Sequence, residues 1–176
     1  MVSYSRAVPG LSRSDASRVM WFLVGDGPLA GEVGEAARTI PNVTWMGRRT
    51  SAEVATLLGD AALLICPSEC YETFGRVVIE AFAAGTPVVA SRLGALAELV
   101  EDGRNGRLFR AGNASALVAV VRELMSDSPS LRSMRTAARA TFESRYGAEV
   151  NYGMLMDVYH SAIERMARDR MTAGAR

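Results

Sequence analysis

The chain has 176 residues, 49% hydrophobic and 22% charged, which suffices for one domain with a buried core and excludes a compositionally disordered chain. Twenty basic side chains against nineteen acidic ones leave a net charge of +1, so a general nucleic-acid binder is not expected. No apolar stretch predicts a membrane span or a signal peptide, and two cysteines, Cys66 and Cys70, predict no disulfide framework, so we expect a cytoplasmic protein.

The first half of the chain alternates between continuous apolar runs and helical patterns. The runs predict strands over 19–24, 43–46, 61–66 and 88–91, and the stretches between them predict helices over 29–38, 51–58 and 75–84. Continuous runs indicate strands covered on both faces, and helices between such strands indicate repeated βαβ units. The sequence therefore predicts a Rossmann-like, doubly wound parallel sheet with helices on both faces, whose ligand lies beyond the carboxyl ends of the strands.

The second half is predicted to be helical. Asn113 caps a helix that ends near residue 125, and Ser128 and Pro129 start another that ends at Gly147. A last helix over 148–167 carries an apolar stripe at helical spacing, which predicts a face buried in the core or against a partner. The residues of this stripe are Met154, Leu155, Val158, Tyr159, Ala162 and Met166.

The segment 67–89 contains the most specific signal for a ligand. Pro67 ends a predicted strand, and Gly75 opens a helix whose first unpaired amides face the carboxyl edge of the sheet. Such a helix start binds anions, phosphate above all, with roughly 0.3–1 kcal/mol per charge at exposed sites. A plain junction between a loop and a helix is the alternative.

Glu80 is the only charged residue between Arg76 and Arg92, on an otherwise apolar helix, so its carboxylate needs partners. It lies ~7.5 Å beyond Gly75 along a helix axis at ~1.5 Å per residue. From there it can accept hydrogen bonds from hydroxyls of a ligand whose phosphate binds the helix start, and a ribose diol fits. The alternative is a structural ion pair with Arg92 or another arginine.

A second carboxylate, Glu72, lies in the loop just before the same helix. Beside a phosphate site it is suited to accept hydrogen bonds from a neutral, hydroxyl-rich group attached to that phosphate, each contributing ~1.5–3 kcal/mol. Glu69 is the rival acid in this loop. A solvated loop acid is the alternative for both.

The spacing E-x7-E is framed by Pro67-Ser68 before it, Phe74-Gly75 within it and Gly85-Thr86-Pro87 after it. This pattern resembles the donor-binding domain of retaining glycosyltransferases of family 4, also called group 1, which have the GT-B fold. Further segments resemble the family in the same order, at 22–28, 42–47, 98–103 and 105–109. The resemblance implies the donor-binding part of a retaining enzyme that transfers a sugar from a nucleotide-diphosphate sugar to an acceptor hydroxyl.

The resemblance also implies roles for single residues. Glu80 would accept hydrogen bonds from the ribose, and Glu72, the one candidate catalytic residue, would orient the donor sugar rather than act as a base. The nucleotide base would lie near residues 46–49, and the amides of residues 74–77 would meet the diphosphate and sugar. The further substrate-binding residues are Thr73, Phe74, Gly75, Arg76, Val77, Gly25, Gly47 and Arg48.

In this family, helix-terminal amides and basic side chains stabilise the leaving diphosphate, so the resemblance implies no metal and no further cofactor. The acceptor would be bound by a separate N-terminal domain. No nucleic-acid partner is implied, whereas peripheral membrane association of the full enzyme is compatible with the family.

The sequence departs from the family at its start. The family's donor domain opens with a strand ending in Gly-Arg-Leu, followed by Lys-Gly, and this Arg/Lys pair grips the diphosphate. Residues 1–18 contain neither motif nor a strand-like run, and the whole chain has no lysine. We therefore expect residues 1–176 to form one domain that lacks its central first strand and has little or no activity alone. Without an acceptor domain, the apolar stripe would be exposed and favour self-association.

Two other functions remain open at this stage. One is a truncated, non-catalytic module that binds nucleotide sugars or a partner. The other is a different Rossmann-like protein, such as an epimerase or an NAD enzyme, but Ala30 replaces the third glycine that G-x-G-x-x-G requires after Gly25 and Gly27. Outside the motif, Cys66 is expected to be a buried thiol and Cys70 incidental.

Overall fold

The computed structural model describes residues 2–7 and 19–173. These residues form one sheet with the strands β1 (Val2–Ala7), β2 (Val19–Val24), β3 (Val43–Gly47), β4 (Leu63–Cys66), β5 (Val88–Ser91) and β6 (Gly106–Phe109). The helices are α1 (Ala30–Thr39), α2 (Ser51–Asp60), α3 (Arg76–Ala83), α4 (Gly94–Leu99), α5 (Ala114–Ser126), α6 (Ser128–Arg145) and α7 (Ala148–Ala173).

The strands lie in the order β3-β2-β1-β4-β5-β6. β2 and β3 pair in parallel, as do β4 with β5 and β5 with β6. β1 is antiparallel to both of its neighbours, β2 and β4, so these two strands run in the same direction. The carboxyl ends of β2 to β6 therefore meet at one edge of the sheet, which carries the loops that the sequence predicts to bind the ligand.

β1 corrects the expectation that residues 1–18 contain no strand. Tyr4 pairs with Phe22 on one side and with Leu64 on the other, so β1 occupies the position between β2 and β4 and these strands are not left unpaired. The physical reason is that buried strand edges need hydrogen-bond partners, which a short extended segment can supply in either direction. The alternation of apolar and polar residues over 2–5 was the available signal.

The core has two parts, one on each face of the sheet. Leu64 packs on the side of Phe82 from α3, whereas Leu63 packs on the side of Leu124 from α5. All four side chains are almost completely buried. Neighbouring residues of β4 thus face opposite layers of helices, which confirms the doubly wound architecture and explains why its apolar run does not alternate.

The structure confirms Asn113 as the N-cap of α5 but shows a different N-cap for α6. Thr50 forms a capping box with Glu53 at the start of α2, and the Asn113 side chain accepts from the Ala116 N–H at the start of α5. At α6, however, Asp127 and not Ser128 is the N-cap, and its Oδ1 accepts from an N–H in the first turn at 3.1 Å. Ser128 is already helical because the carboxylate one residue earlier can reach the third amide.

α7 is longer than predicted and is exposed along its apolar stripe. Every residue of that stripe is exposed, and Val158 reaches 65%. Of the two predicted alternatives, burial in the core of this chain is therefore wrong, and burial against a partner stays a prediction. The exposure expected without an acceptor domain is observed, and self-association also stays a prediction. Within the described ranges, no helix is both long and apolar enough to cross a bilayer.

Candidate functional site

Gly75 determines where α3 begins. Its φ of +67° is left-handed, and a Cβ atom there would lie 2.9 Å from Leu99 Cδ1 and 3.4 Å from Leu96 Cδ2 in α4. Glycine alone combines this conformation with so close an approach. In the described structure no side chain caps this helix start, and its first turn carries no acidic residue. The first amides of α3 therefore remain open to an anion, as the sequence predicts.

Glu72 lies in the loop between β4 and α3 and is held there by a hydrogen bond. The Ser68 hydroxyl donates to Glu72 Oε1 at 2.8 Å, and the Glu72 side chain is exposed. Burial raises the pKa of the Cys66 thiol to about 12, and the negative charge of Glu72 contributes to this rise. The Glu72 carboxylate thus lies close to the end of β4, at the ligand-binding edge of the sheet.

The structure separates Glu72 from the rival acid Glu69. A Cβ atom on Gly112 would lie 3.9 Å from Glu69 Cδ, so this side chain faces the loop that follows β6. The backbone of Glu72 instead contacts the loop that follows β5, where a Cβ atom on Gly94 would lie 3.6 Å from the Glu72 carbonyl oxygen. The Glu69 side chain therefore lies near the loop after β6, whereas the backbone of Glu72 lies beside the start of α4.

Glu80 is half-buried on α3 and has an arginine partner. Arg76 Nε lies 3.0 Å from Glu80 Oε1, one helical turn earlier on the same face. The alternative partner, Arg92, instead donates to Asp102 Oδ2 at 2.7 Å. The expected ion pair with another arginine is thus present, and exposed pairs at this spacing stabilise a helix by only ~0.3–0.5 kcal/mol. The role of Glu80 toward a ribose stays a prediction.

Gly25 and Gly47 come together at the ends of β2 and β3. The Gly25 N–H donates to the Gly47 carbonyl at 2.9 Å, and the Trp45 indole donates to the Gly25 carbonyl at 3.1 Å. Both glycines have positive φ. Arg48 follows in an exposed turn. All of these candidate residues lie at one edge of the sheet, but Gly25 after β2 is two strand spacings from β4, ~10 Å, and Arg48 after β3 is three, ~14 Å.

The remaining candidate residues surround the start of α3. Thr73 and Phe74 are exposed in the loop, and 60% of Phe74 is accessible. Val77, by contrast, packs against the core with part of its side chain. Arg76 is exposed on the first turn. The side chains of Phe74 and Arg76 are thus accessible to a ligand, whereas Val77 can contact a ligand mainly through its backbone.

Sequence patterns did not predict the ionic network that holds the loop after β5. Asp102 Oδ1 accepts from the Leu108 N–H at 3.0 Å, while its other oxygen accepts from Arg92, and Arg107 Nε lies 3.3 Å from Asp102. Burial acts to raise the pKa of the Asp102 carboxyl, but these donors outweigh it and lower the pKa. Arg107 also donates to Glu123 at 2.6 Å. The partners belong to different elements, so no local spacing could reveal them.

The comparison with known proteins decides the family. Residues 4–127 match the family described as glycosyl transferases, group 1. The chain belongs to this family. The matched region begins within β1 and runs through α5, so it contains the other five strands and all of the candidate site residues. The resemblance inferred from the E-x7-E segment is therefore confirmed.

Curated relatives of this glycosyltransferase chain are considerably longer. The phosphatidyl-myo-inositol mannosyltransferase of Mycobacterium leprae is 34% identical over 156 residues, which are 88% of this chain and 41% of that enzyme. The D-inositol 3-phosphate glycosyltransferase of Streptomyces coelicolor is 38% identical over 108 residues, which are 61% of this chain and 23% of that enzyme. The chain thus spans less than half of the length of either relative.

Solved structures confirm the fold of this glycosyltransferase chain. Anabaena HepE in complex with UDP and glucose has a TM-score of 0.68 at 28% identity, over 79% of this chain and 40% of that one. The sucrose-phosphate synthase of Thermosynechococcus elongatus has a TM-score of 0.72 at 25% identity, over 82% of this chain and 38% of that one. Both are GT-B glycosyltransferases, so the chain has the Rossmann-like architecture of one half of that fold.

Proposed function

We propose that this chain is the donor-binding part of a retaining glycosyltransferase that transfers a sugar from a nucleotide-diphosphate sugar to an acceptor hydroxyl. The observation that carries the proposal is the uncapped start of α3 at Gly75, with Glu72 before it and Glu80 one turn after it. The structure of HepE with UDP and glucose supports a ligand of this class, since it shares the fold at 28% identity.

Each group of the donor has a suitable partner in this arrangement. The amides of residues 74–77 would bind the diphosphate, because a helix start favours negative charge. Glu80 would accept hydrogen bonds from the ribose, and Glu72 from the sugar, whose reactive carbon it would help to orient. Gly47 and Arg48 would contact the base. Stabilisation of the leaving diphosphate by these dipoles and cations would make a metal unnecessary.

The acceptor would come from a part of the enzyme that this chain does not contain, since its relatives are more than twice as long. We therefore propose that the chain alone has little or no transferase activity, and that the whole enzyme acts in the cytoplasm, with peripheral membrane association compatible with this role. Detectable sugar transfer by this chain without a partner polypeptide would contradict the first point.

The proposal is tested by calorimetric titration of the chain with UDP, GDP and ADP and with UDP-glucose, using Glu80→Gln as the variant. Glu35→Gln is the matched control, since Glu35 also forms an exposed helical ion pair, with Arg38 at 2.9 Å. We expect saturable binding of at least one nucleotide, weakened about tenfold or more by Glu80→Gln because a charged hydrogen bond contributes ~1.5–3 kcal/mol, and unchanged in the control. Binding that Glu80→Gln leaves intact would contradict the site.

A non-catalytic module that binds nucleotide sugars is the second candidate, and the absence of lysine, one member of the pair that grips the diphosphate in this family, favours it. The two candidates predict different results when an acceptor domain of such an enzyme is added to the chain. If the chain is an enzyme part, adding an acceptor domain produces sugar transfer that depends on Glu72. If the chain is a module, donor binding persists and no transfer follows.

A further inference from the structure

Arg76 forms an ion pair with Glu80, the carboxylate that the proposed function assigns to the donor. Arg76 is the first residue of α3 and directly follows Gly75, and its Nε lies 3.0 Å from Glu80 Oε1. The carboxylate that the proposed function assigns to a ribose is thus already engaged by a guanidinium. Donor binding at this site therefore has to displace Arg76 or accommodate it.

The pair is not well placed to serve stability alone. A cation in the first turn of a helix lies at the positive end of the helix dipole, where it is unfavourable. Moreover, Glu80 follows Arg76 by four residues, and an ion pair in this order stabilises a helix less than one in which the acid comes first. In addition, 77% of the Arg76 side chain is exposed to solvent, which screens the attraction. The ion pair therefore opens easily.

Three other arginines near the same edge of the sheet, Arg92, Arg107 and Arg48, are engaged or distant. Arg92 and Arg107 both contact Asp102, and Arg107 contacts Glu123 as well. Arg48 follows β3, which is three strands away from β4, roughly 14 Å at ~4.8 Å per strand. The chain has no lysine. Among the described residues, Arg76 is the cation placed directly on the helix start that would bind the diphosphate.

We propose that Arg76 changes partners when the donor binds. The ribose hydroxyls take its place at Glu80, and the released guanidinium turns to the diphosphate, where its two parallel N–H groups match two phosphate oxygens. The negative charge of the diphosphate offsets the unfavourable position of Arg76 at the helix start. The inference rests on the proposed function of the same site. It adds that Arg76 is the cationic side chain that binds the diphosphate there.

The test compares UDP with uridine, which has the ribose diol and no phosphate. Both are titrated into the wild-type chain, Arg76→Gln, Arg76→Lys and the control Arg38→Gln, with saturation-transfer NMR for the weak binding of uridine. We expect Arg76→Gln to weaken UDP binding at least tenfold and to leave uridine binding unchanged or stronger, because Glu80 becomes free. Arg76→Lys should fall between wild type and Arg76→Gln, and Arg38→Gln should behave as wild type.

Equal loss of UDP and uridine binding in Arg76→Gln, or UDP binding at the wild-type level, would overturn the inference while leaving the proposed function standing. A second readout is the Nε–Hε NMR signal of Arg76, identified by its absence in Arg76→Gln. The chemical shift of this signal should change in Glu80→Gln and on addition of UDP. If UDP does not change the chemical shift, the inference is also overturned. If the wild-type chain binds none of UDP, GDP and ADP, the proposed function itself fails.

Discussion

Gly75 at the start of α3 lies so close to Leu99 in α4 that one added methyl group would come within 2.9 Å of Leu99 Cδ1. Two helices separated by β5 in the sequence thus meet at the point where the proposed diphosphate binds. The conformation of Gly75, with φ +67°, adds a second reason why no other residue fits. The start of α3 is therefore fixed from two sides, and its amides are held in place before a ligand arrives.

Gly75→Ala is expected to damage both stability and binding. The left-handed backbone costs an alanine ~1–2 kcal/mol, and the contact with Leu99 forces α3 or α4 to shift. Urea unfolding should show this loss, and calorimetry should show weaker nucleotide binding. Gly59→Ala is the control, because a Cβ there meets nothing within 4 Å, and it should be neutral or stabilising. A Gly75→Ala variant with wild-type stability and affinity would contradict the geometry.

Tyr4→Pro is expected to destabilise the whole sheet. Tyr4 lies in β1, which pairs with β2 on one side and β4 on the other, so a proline removes a ladder hydrogen bond whichever way the N–H points. The midpoint of urea unfolding should fall markedly, while Tyr4→Val should leave it close to wild type because valine suits a strand. If Tyr4→Pro unfolds at the same urea concentration as the wild type, β1 does not contribute to the sheet.

Asp102 should make stability depend on pH in a defined direction. Because hydrogen bonds and arginines lower its pKa in the folded state, its contribution is present above the unfolded pKa of about 3.9 and is lost as the pH falls through the folded value. Asp102→Asn should therefore reduce stability at pH 7, and the difference from wild type should shrink as the pH falls below about 4. Thermal unfolding of both proteins across this range is the measurement. A difference that is the same at pH 3.5 and pH 7 would rule out this role.

The two cysteines should differ sharply in reactivity. Cys66 is buried, and burial raises its pKa to about 12, so almost no thiolate is present at neutral or mildly alkaline pH. Cys70 is exposed in the loop next to Glu72. With a disulfide-exchange reagent at pH 8, the native chain should show one fast thiol, and Cys70→Ser should remove it. Two fast thiols in the folded wild type would mean that β4 is not covered as described.

The sequence predicted what depends on local pattern. The sequence predicts the strand over 88–91 at its observed bounds. A strand that is buried on both faces consists of a continuous apolar run, which can be recognised in the sequence. Gly75 was predicted to open α3 because a glycine after a loop marks a helix start. The order of the motifs also sufficed to identify the family.

What the sequence did not predict depends on contacts between distant elements. β1 was missed because residues 2–7 become a strand only when β2 and β4 lie on either side of them. The partner of Glu80 stayed open between Arg92 and another arginine, since the choice rests on where the loop after β5 places its side chain. The contact of Gly75 with Leu99 has no signature in local spacing for the same reason.

An amide NMR titration of the ¹⁵N-labelled chain with UDP-glucose tests the proposed donor site most directly. The proposed function predicts saturable shifts that are largest for the amides of residues 74–77, with smaller shifts near Gly47 and Arg48, and their loss in Glu80→Gln. Saturable shifts confined to other parts of the chain, or no shifts with any nucleotide sugar tested, would contradict the assignment of the donor site to the start of α3.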